Sequence, residues 1–261
     1  MAPQSPGAVE APGAYAAPMS RAYEELDVQP TPLGELILRR RRVLALGTDV
    51  HEVLLDGRFL MSSLVTDSER ALARLALDGL AGTDDGAGPV VLVGGLGLGY
   101  TAAAALEHGA SSVTVVEALP PVIDWHRRAL VPLGAALGDD PRCRLVHADF
   151  FAAVAAAPDA PDAALDPAGY DAILVDIDHS PSARLAESHA RFYEPDALRR
   201  LSAWLRTGGI FAFWSADLPE AWFVERLEAV FDDVRPEVVE FENPLADVTE
   251  GNTIYLARRR A

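Results

Sequence analysis

Apolar and polar residues alternate along this chain in blocks that predict strands followed by helices. Short apolar runs with the length of buried strands occur at residues 90–93, 112–116, 144–147, 172–175 and 210–213. Stretches with helical spacing of apolar residues lie between or after these runs, at 100–107, 121–130, 196–205 and 219–231. Strands that alternate with helices in this order predict a parallel sheet covered by helices on both faces.

The two ends of the chain depart from this alternation. Residues 237–241 and 253–257 follow each other without a good intervening helix, which predicts a terminal antiparallel pair at the sheet edge. Between about Gly34 and Met61, apolar runs at 36–38, 43–46 and 52–55 predict the strands of a small antiparallel meander.

The run Arg39 to Arg42 separates two of the apolar runs in this meander. It is compatible with an anion-binding patch or with arginines that alternate along a solvated edge strand. We favour the edge strand, because charged side chains protect such strands from pairing with other chains.

These patterns divide the chain into three parts. Residues 1–20 are rich in Ala, Pro, Gly and Ser, and we predict a disordered leader. Residues 21–66 form a small N-terminal β domain, and residues 67–261 form the α/β domain that we expect to bind a ligand. A helix from about Ser68 to Leu80, with Asp67 as its cap, opens this second domain. The predicted fold class is α/β, a doubly wound and mostly parallel sheet with a small N-terminal antiparallel β meander.

Charge narrows the range of partners. The chain carries 39 acidic and 22 basic residues, for a formal net charge of −17. Nucleic acid and anionic membranes would be approached against this charge, so we predict neither as a partner. The same charge is compatible with a cationic substrate such as an amine, although it also serves solubility.

Cysteine content and apolar runs predict a soluble cytoplasmic protein. Cys143 is the single cysteine, so no internal disulfide forms, as is usual in a reducing cytosol. Residues 1–18 lack the basic start and apolar core of a signal peptide. The apolar run at 89–106 is interrupted by glycines, which favours a strand, a turn and a helix over a membrane span.

The sharpest local signal is a strand that leads directly into a glycine-rich turn. Residues 90–93 are followed by Gly94, Gly95, Gly97 and Gly99, and then by a predicted helix. Glycines allow a tight turn and close approach of a ligand, and the helix N-terminus offers free N–H groups. The pattern departs from the full dinucleotide fingerprint, because the last glycine is displaced.

Carboxylates stand at the ends of three further predicted strands. Glu117 ends the second strand, where it could accept hydrogen bonds from both hydroxyls of a ribose. Asp149 follows the third strand, where an adenine amino group could donate to it, and Asp176 follows the fourth. Open α/β sheets bind ligands at the carboxyl ends of their strands, so this combination predicts a nucleoside site.

Nicotinamide and S-adenosyl nucleoside sites share these elements, and a resemblance decides between them. The strand ending in Glu117, the Asp149 tip, residues 205–209 and the terminal antiparallel pair resemble the Rossmann-like fold of class I S-adenosylmethionine-dependent methyltransferases. Over about residues 23–235 the chain resembles the spermidine synthase (polyamine aminopropyltransferase) family. The matching stretches are 52–57, 66–69, 94–99, Glu117, Asp149 and 170–176, together with the N-terminal meander.

The resemblance implies a cofactor, which is S-adenosylmethionine or decarboxylated S-adenosylmethionine. Its expected binding residues are Gly94, Gly95, Gly97, Gly99, Glu117 and Asp149. Asp176 is the first candidate for the catalytic base, because the family's catalytic loop begins at the matching aspartate. Asp178 and His179 follow on the same loop as further catalytic candidates.

Three other residues are candidates for binding the acceptor. Glu69 lies on the helix that matches the family's acidic helix, and Trp214 could form an aromatic wall that attracts a cation. Tyr193, with His189, flanks the crossover after the fourth strand and could line an acceptor pocket, or it could simply pack against the sheet.

Departures from the family pattern rank the possible functions. The family loop carries an aspartate where this chain has Gly97 or Leu98, and a glutamine where it has Trp214. The acidic helix lacks its tyrosine and second acid, and the catalytic loop at 176–181 has altered spacing. Our first hypothesis is therefore an enzyme that transfers a methyl group to a small amine or hydroxyl acceptor. The second is aminopropyl transfer to a polyamine, and the third is a nucleoside-binding protein without catalysis.

Other chemistries find little support in the sequence. His126 and His147 have no partners at metal-ligand spacing, so we predict no metal. A serine nucleophile elbow is missing, which argues against a hydrolase. The predicted partner is a small-molecule acceptor, and a homodimer is left open.

Overall fold

The computed structural model describes residues 23–80, 86, 88–160, 165–246 and 248–261. The predicted leader at residues 1–20 lies outside these ranges. The division of the chain into parts at residues 20 and 66 stays a prediction.

The first four strands form an antiparallel sheet in the order β1-β2-β3-β4. They are β1 (Tyr23–Thr31), β2 (Gly34–Val43), β3 (Thr48–Leu55) and β4 (Arg58–Ser62). This sheet confirms the small N-terminal antiparallel meander. The apolar run 43–46 is not a strand, because Val43 ends β2 and the following residues form the turn to β3.

The arginine run lies inside a central strand, so the prediction of a solvated edge strand is wrong. β2 pairs with β1 on one side and with β3 on the other. Arg39 and Arg41 both bind the carboxylate of Glu52 on β3, at 2.6 and 2.7 Å, and the Glu52 side chain is almost fully buried. A cross-strand carboxylate therefore pairs with two of these arginines on a central strand, where their side chains stay partly exposed.

Seven helices and one 3₁₀ helix accompany the second part of the described chain. They are α1 (Asp67–Asp78), α2 (Tyr100–Glu107), α3 (Pro120–Arg127), α4 (Gly134–Asp139), α5 (Phe150–Ala155), α6 (Pro195–Ala203) and α7 (Ala221–Glu228), with the 3₁₀ helix at Glu187–Tyr193. Asp67 lies in the first turn of α1, and Thr66 takes the cap position instead. None of the helices among the described residues is long and apolar enough to cross a membrane.

The second sheet has seven strands in the order β10-β11-β9-β8-β5-β6-β7. They are β5 (Val90–Gly94), β6 (Ser112–Glu117), β7 (Cys143–His147), β8 (Tyr170–Val175), β9 (Leu205–Ser215), β10 (Asp232–Asn243) and β11 (Val248–Arg258). Strands β5 to β9, which are neighbours in the sheet, are all parallel. Strand β11 runs antiparallel to β9, and β10 runs antiparallel to β11. The doubly wound sheet and its terminal antiparallel pair are confirmed.

The hydrophobic core lies on both faces of this sheet. Along β5, Val91 and Val93 face one apolar cluster and Leu92 faces the other, and all three are fully buried. The first cluster also contains Leu36 and Val53, so the N-terminal sheet packs against the same core. This packing places β4 beside the carboxyl ends of the parallel strands, where the polar candidate residues lie.

Candidate functional site

The glycine-rich turn after β5 has a backbone that other residues rarely adopt. Gly95, Gly97 and Gly99 have φ angles of +91°, +47° and +93°. A Cβ atom on Gly95 would overlap the backbone carbonyl oxygen of Asp176, and one on Gly97 would lie 2.8 Å from the Met61 sulfur. The turn therefore needs glycine both for its conformation and for its close contacts.

Two buried side chains hold this turn in place. Glu117 accepts hydrogen bonds from the Leu96 N–H at 3.0 Å and from the Leu119 N–H at 2.8 Å. His126 contacts the Gly97 carbonyl oxygen through Nε2 at 2.9 Å. Because a carbonyl oxygen only accepts, Nε2 carries the hydrogen.

Both of these side chains are shielded from water. His126 is 1% exposed, and its Nδ1 has no partner among the described residues. Burial lowers the pKa of His126 and raises the pKa of Glu117, because the charged form of each is poorly solvated there. The sequence offers His126 only as a possible metal ligand without partners, and its contact with the turn was not predicted.

Two cavities adjoin the turn and share part of their walls. The larger has a volume of about 450 Å³ and is bordered by Glu69, Trp214 and His179. The smaller has a volume of about 250 Å³ and is bordered by Glu117, Asp149 and His189. Residues that line both cavities are Leu60, Met61, Gly97, Asp176 and Ile177. The two cavities thus meet at the turn and at the end of β8.

Two carboxylates approach each other at the larger cavity. Asp176 accepts a hydrogen bond from the Thr101 hydroxyl at 2.8 Å, and the same hydroxyl lies 3.3 Å from the backbone oxygen of Glu69. Burial raises the pKa of Asp176 to about 6. Burial, with a further contribution from the charge of Asp176, raises the pKa of Glu69 to about 7. Both groups therefore titrate close to neutral pH.

A hydrogen-bonded chain orients Glu69. The Trp214 indole N–H donates to the Ser68 hydroxyl at 2.9 Å, and that hydroxyl donates to Glu69 Oε2 at 2.8 Å. Trp214 lies at the end of β9, so strand β9 and helix α1 position the carboxylate together. Neither Ser68 nor Thr101 was predicted as a functional residue.

Asp149 lies where the sequence placed it, at the tip of β7. Its Oδ1 accepts a hydrogen bond from the Ala152 N–H at 3.1 Å and so caps helix α5. The same carboxylate borders the smaller cavity. Gly94 packs closely against the residue that follows Asp149, since a Cβ on Gly94 would be 2.7 Å from the Phe150 ring.

The remaining predicted residues are placed differently. Asp178 is a buried anchor with three hydrogen-bond donors, which include the Tyr193 hydroxyl at 2.7 Å. Tyr193 is buried among aromatic rings and borders neither of these two cavities, so its role in binding an acceptor stays a prediction. His179 is exposed at the larger cavity, with its ring 6.5 Å from that of Trp214. His189 borders the smaller cavity and not the larger one.

The raised pKa of Glu69 predicts how pH affects stability. The folded protein binds this proton more tightly than the unfolded chain does, so stability falls as pH rises from about 4.5 to about 7. We expect Glu69→Gln to leave stability almost unchanged at pH 5 and to increase it at pH 8. The gain is at most about 3 kcal/mol, or several degrees in the midpoint of thermal unfolding.

Thermal unfolding at the two pH values checks this prediction. Glu225→Gln is the matched control, because Glu225 is exposed on α7 and the same atoms change. An equal shift at pH 5 and pH 8 for Glu69→Gln would show that the Glu69 carboxylate is well solvated.

Comparison with known proteins places the fold in a class. By sequence, the chain matches no family profile and no curated protein. By structure, human methyltransferase-like protein 13 in complex with SAH aligns with a TM-score of 0.54 and 21% identity, over 74% of this chain and 82% of that chain. The sheet order and the antiparallel β11 give the chain a Rossmann-like methyltransferase fold.

The fold is also similar to that of the spermidine synthases. A spermidine synthase in complex with the transition state analogue AdoDATO aligns with a TM-score of 0.65 and 18% identity, over 90% of this chain and 72% of that chain. Spermidine synthase from Thermotoga maritima gives a TM-score of 0.66 with the same identity and coverage. The predicted resemblance is confirmed at the level of the fold, and the low identity fits a diverged chain.

Proposed function

We propose that this protein is a transferase that moves a group from an S-adenosyl donor to a small cationic amine. The observation that carries the proposal is that the two cavities meet at Gly97 and Asp176, with Glu69 on the larger one. Two substrates that react with each other need adjoining sites with the reacting atoms at the junction. The fold likeness to a methyltransferase and to spermidine synthases supports the same conclusion.

The smaller cavity fits the nucleoside part of such a donor. Glu117 accepts backbone hydrogen bonds from Leu96 and Leu119 and lies close to the N–H groups of Gly97 and Ala118, and its carboxylate could turn its remaining acceptor capacity to the hydroxyls of a ribose. Asp149 offers an acceptor for an adenine amino group at the other end. When bound, the donor would supply an electrophilic carbon next to a sulfonium.

The larger cavity fits a cationic acceptor. Glu69 and Asp176 disfavour each other's negative charge in a poorly solvated place, and an ammonium group between them would relieve that repulsion. The Trp214 ring on the same cavity adds a surface that attracts cations. A hydroxyl acceptor would leave the two carboxylates uncompensated, so we favour an amine.

Asp176 would act as the general base. It accepts the proton from the ammonium nitrogen, and the freed lone pair forms the new nitrogen–carbon bond while the carbon–sulfur bond breaks toward sulfur. The Thr101 hydroxyl orients the Asp176 carboxylate, and a pKa of about 6 leaves the base ionised near neutral pH. Glu69 holds the charge of the acceptor during its approach.

Methyl transfer is our first candidate for the reaction. The glycine turn has Gly97 or Leu98 where spermidine synthases carry an aspartate for the donor's amine, so that determinant is missing. Aminopropyl transfer is the second candidate. It is favoured by the lining of the smaller cavity, which includes no arginine or lysine among the described residues to pair with the carboxylate of an intact donor.

Product analysis separates these reactions. The protein is incubated with S-adenosylmethionine or its decarboxylated form and with putrescine or other small amines, and products are identified by mass spectrometry. S-adenosylhomocysteine and a methylated amine are expected. Methylthioadenosine with the decarboxylated donor alone would establish aminopropyl transfer instead. If nucleosides bind but no donor and amine react, the protein binds nucleosides without catalysis.

A further inference from the structure

Asp178 anchors the segment that closes one side of the smaller cavity. Its side chain is 0% exposed, and its two oxygens take three hydrogen bonds. Oδ1 accepts from the Leu185 N–H at 2.9 Å and contacts His189 Nδ1 at 2.7 Å, and Oδ2 accepts from the Tyr193 hydroxyl at 2.7 Å. All three partners belong to the crossover between β8 and α6, so one buried carboxylate fixes the fold of this segment.

The contact with Asp178 determines the tautomer of His189. A carboxylate oxygen only accepts, so Nδ1 carries the hydrogen and Nε2 of the neutral ring is an acceptor. No group within the described ranges forms a hydrogen bond with this Nε2. Asp178 therefore orients the His189 ring and leaves Nε2 available as a hydrogen-bond acceptor at a fixed position.

That acceptor lies on the wall of the smaller cavity. The His189 side chain is 14% exposed and its ring centroid is 4.4 Å from that of Phe151, which also borders this cavity. Asp149 borders the same cavity with a carboxylate that is a pure acceptor. Two hydrogen-bond acceptors, the Asp149 carboxylate and His189 Nε2, thus belong to the part of the cavity formed by the tip of β7, helix α5 and the 3₁₀ helix.

We propose that His189 is a specificity residue that accepts a hydrogen bond from the amino group of the donor's purine base, with Asp178 as its positioning residue. This inference rests on the proposed function, since it requires a nucleoside in the smaller cavity. A purine with an amino group at C6 satisfies the acceptor, whereas a 6-oxo purine presents an oxygen to it. A buried acceptor that faces another acceptor disfavours the wrong base by a factor between about 10 and 100.

Calorimetric titration of the full chain with 5′-methylthioadenosine and 5′-methylthioinosine at pH 8 tests this specificity. The wild type is expected to prefer the adenosine compound by at least about tenfold. His189→Phe keeps the ring contact with Phe151 but removes one of the two acceptors, so the preference is expected to fall by at least about threefold, with the remainder due to Asp149. His189→Gln, whose amide oxygen can accept, is expected to recover part of it.

His108→Phe is the matched control, because His108 lies at the end of α2, bonded to the Ala104 oxygen and away from both cavities. It should keep the wild-type preference, and thermal unfolding without ligand confirms that each variant is folded. An unchanged preference in His189→Phe, or an equal loss for both nucleosides, would overturn the role of His189 and leave the proposed function intact. Failure of the wild type to bind either nucleoside would overturn both proposals.

Discussion

Replacing Asp176 with asparagine is expected to lower the turnover number by about 100- to 10,000-fold, the range that general bases contribute. Asparagine keeps the size of the side chain and can still accept the Thr101 hydrogen bond at this position. It cannot take the proton of the acceptor. Because Glu117 and Asp149 are untouched, the affinity for the nucleoside is expected to change by less than about threefold.

Steady-state kinetics with the reactive donor and amine, alongside nucleoside titration, measure these two effects separately. Asp217→Asn is the matched control, because Asp217 is an exposed aspartate just after β9 at the same edge of the sheet. Its turnover should equal that of the wild type. A fully active Asp176→Asn would remove Asp176 as the base.

Replacing Gly95 with alanine is expected to abolish nucleoside binding, with a loss of at least about 100-fold in affinity. Two effects combine at this position. A φ of +91° is strained for alanine, at about 1–2 kcal/mol. In addition, the new Cβ would overlap the Asp176 carbonyl oxygen, so the turn and the end of β8 would have to move apart.

Gly109→Ala separates these two effects. Gly109 has a φ of +88°, close to that of Gly95, but a Cβ there meets nothing within 4 Å. This control should lose stability by about 1–2 kcal/mol and keep its nucleoside affinity. Equal affinities for Gly95→Ala and Gly109→Ala, measured by titration, would mean that the contact between the turn and Asp176 does not shape the site.

Much of the fold could be predicted because burial leaves a plain pattern in the sequence. The strands β5, β6 and β8 are buried on both faces and are therefore mostly apolar segments that end at Gly94, Glu117 and Val175. The glycines at 95, 97 and 99 mark the turn because their φ angles are positive. Hence the edge of the sheet that carries the candidate site could be located from local signals.

Strand β1 illustrates what local signals miss. Its sequence from Tyr23 to Thr31 is polar and contains a proline, and its residues are only partly buried. Part of what holds it is distant in the chain, since Asp27 accepts a hydrogen bond from the indole of Trp125 at 2.7 Å. The arginines of β2 were misjudged for the same reason, because their partner Glu52 lies on the next strand.

The candidate site was predicted in part for a related reason. Glu117 and Asp149 lie at strand ends, so the order of the sheet is enough to place them. Thr101 and Asp176 are 75 positions apart, and only the packing of α2 against β5 brings them together. Asp178 and His179 are near neighbours in the sequence, yet the first is an anchor in the interior and the second lies at the surface.

We infer that Glu117 and the glycine-rich turn after β5 together hold a nucleoside. Calorimetric titration of the wild-type protein with S-adenosylhomocysteine and 5′-methylthioadenosine tests this inference most directly. We expect one nucleoside to bind per chain with a dissociation constant in the micromolar range, about −8 kcal/mol. Absence of binding of both nucleosides to the folded wild-type protein would contradict the claim.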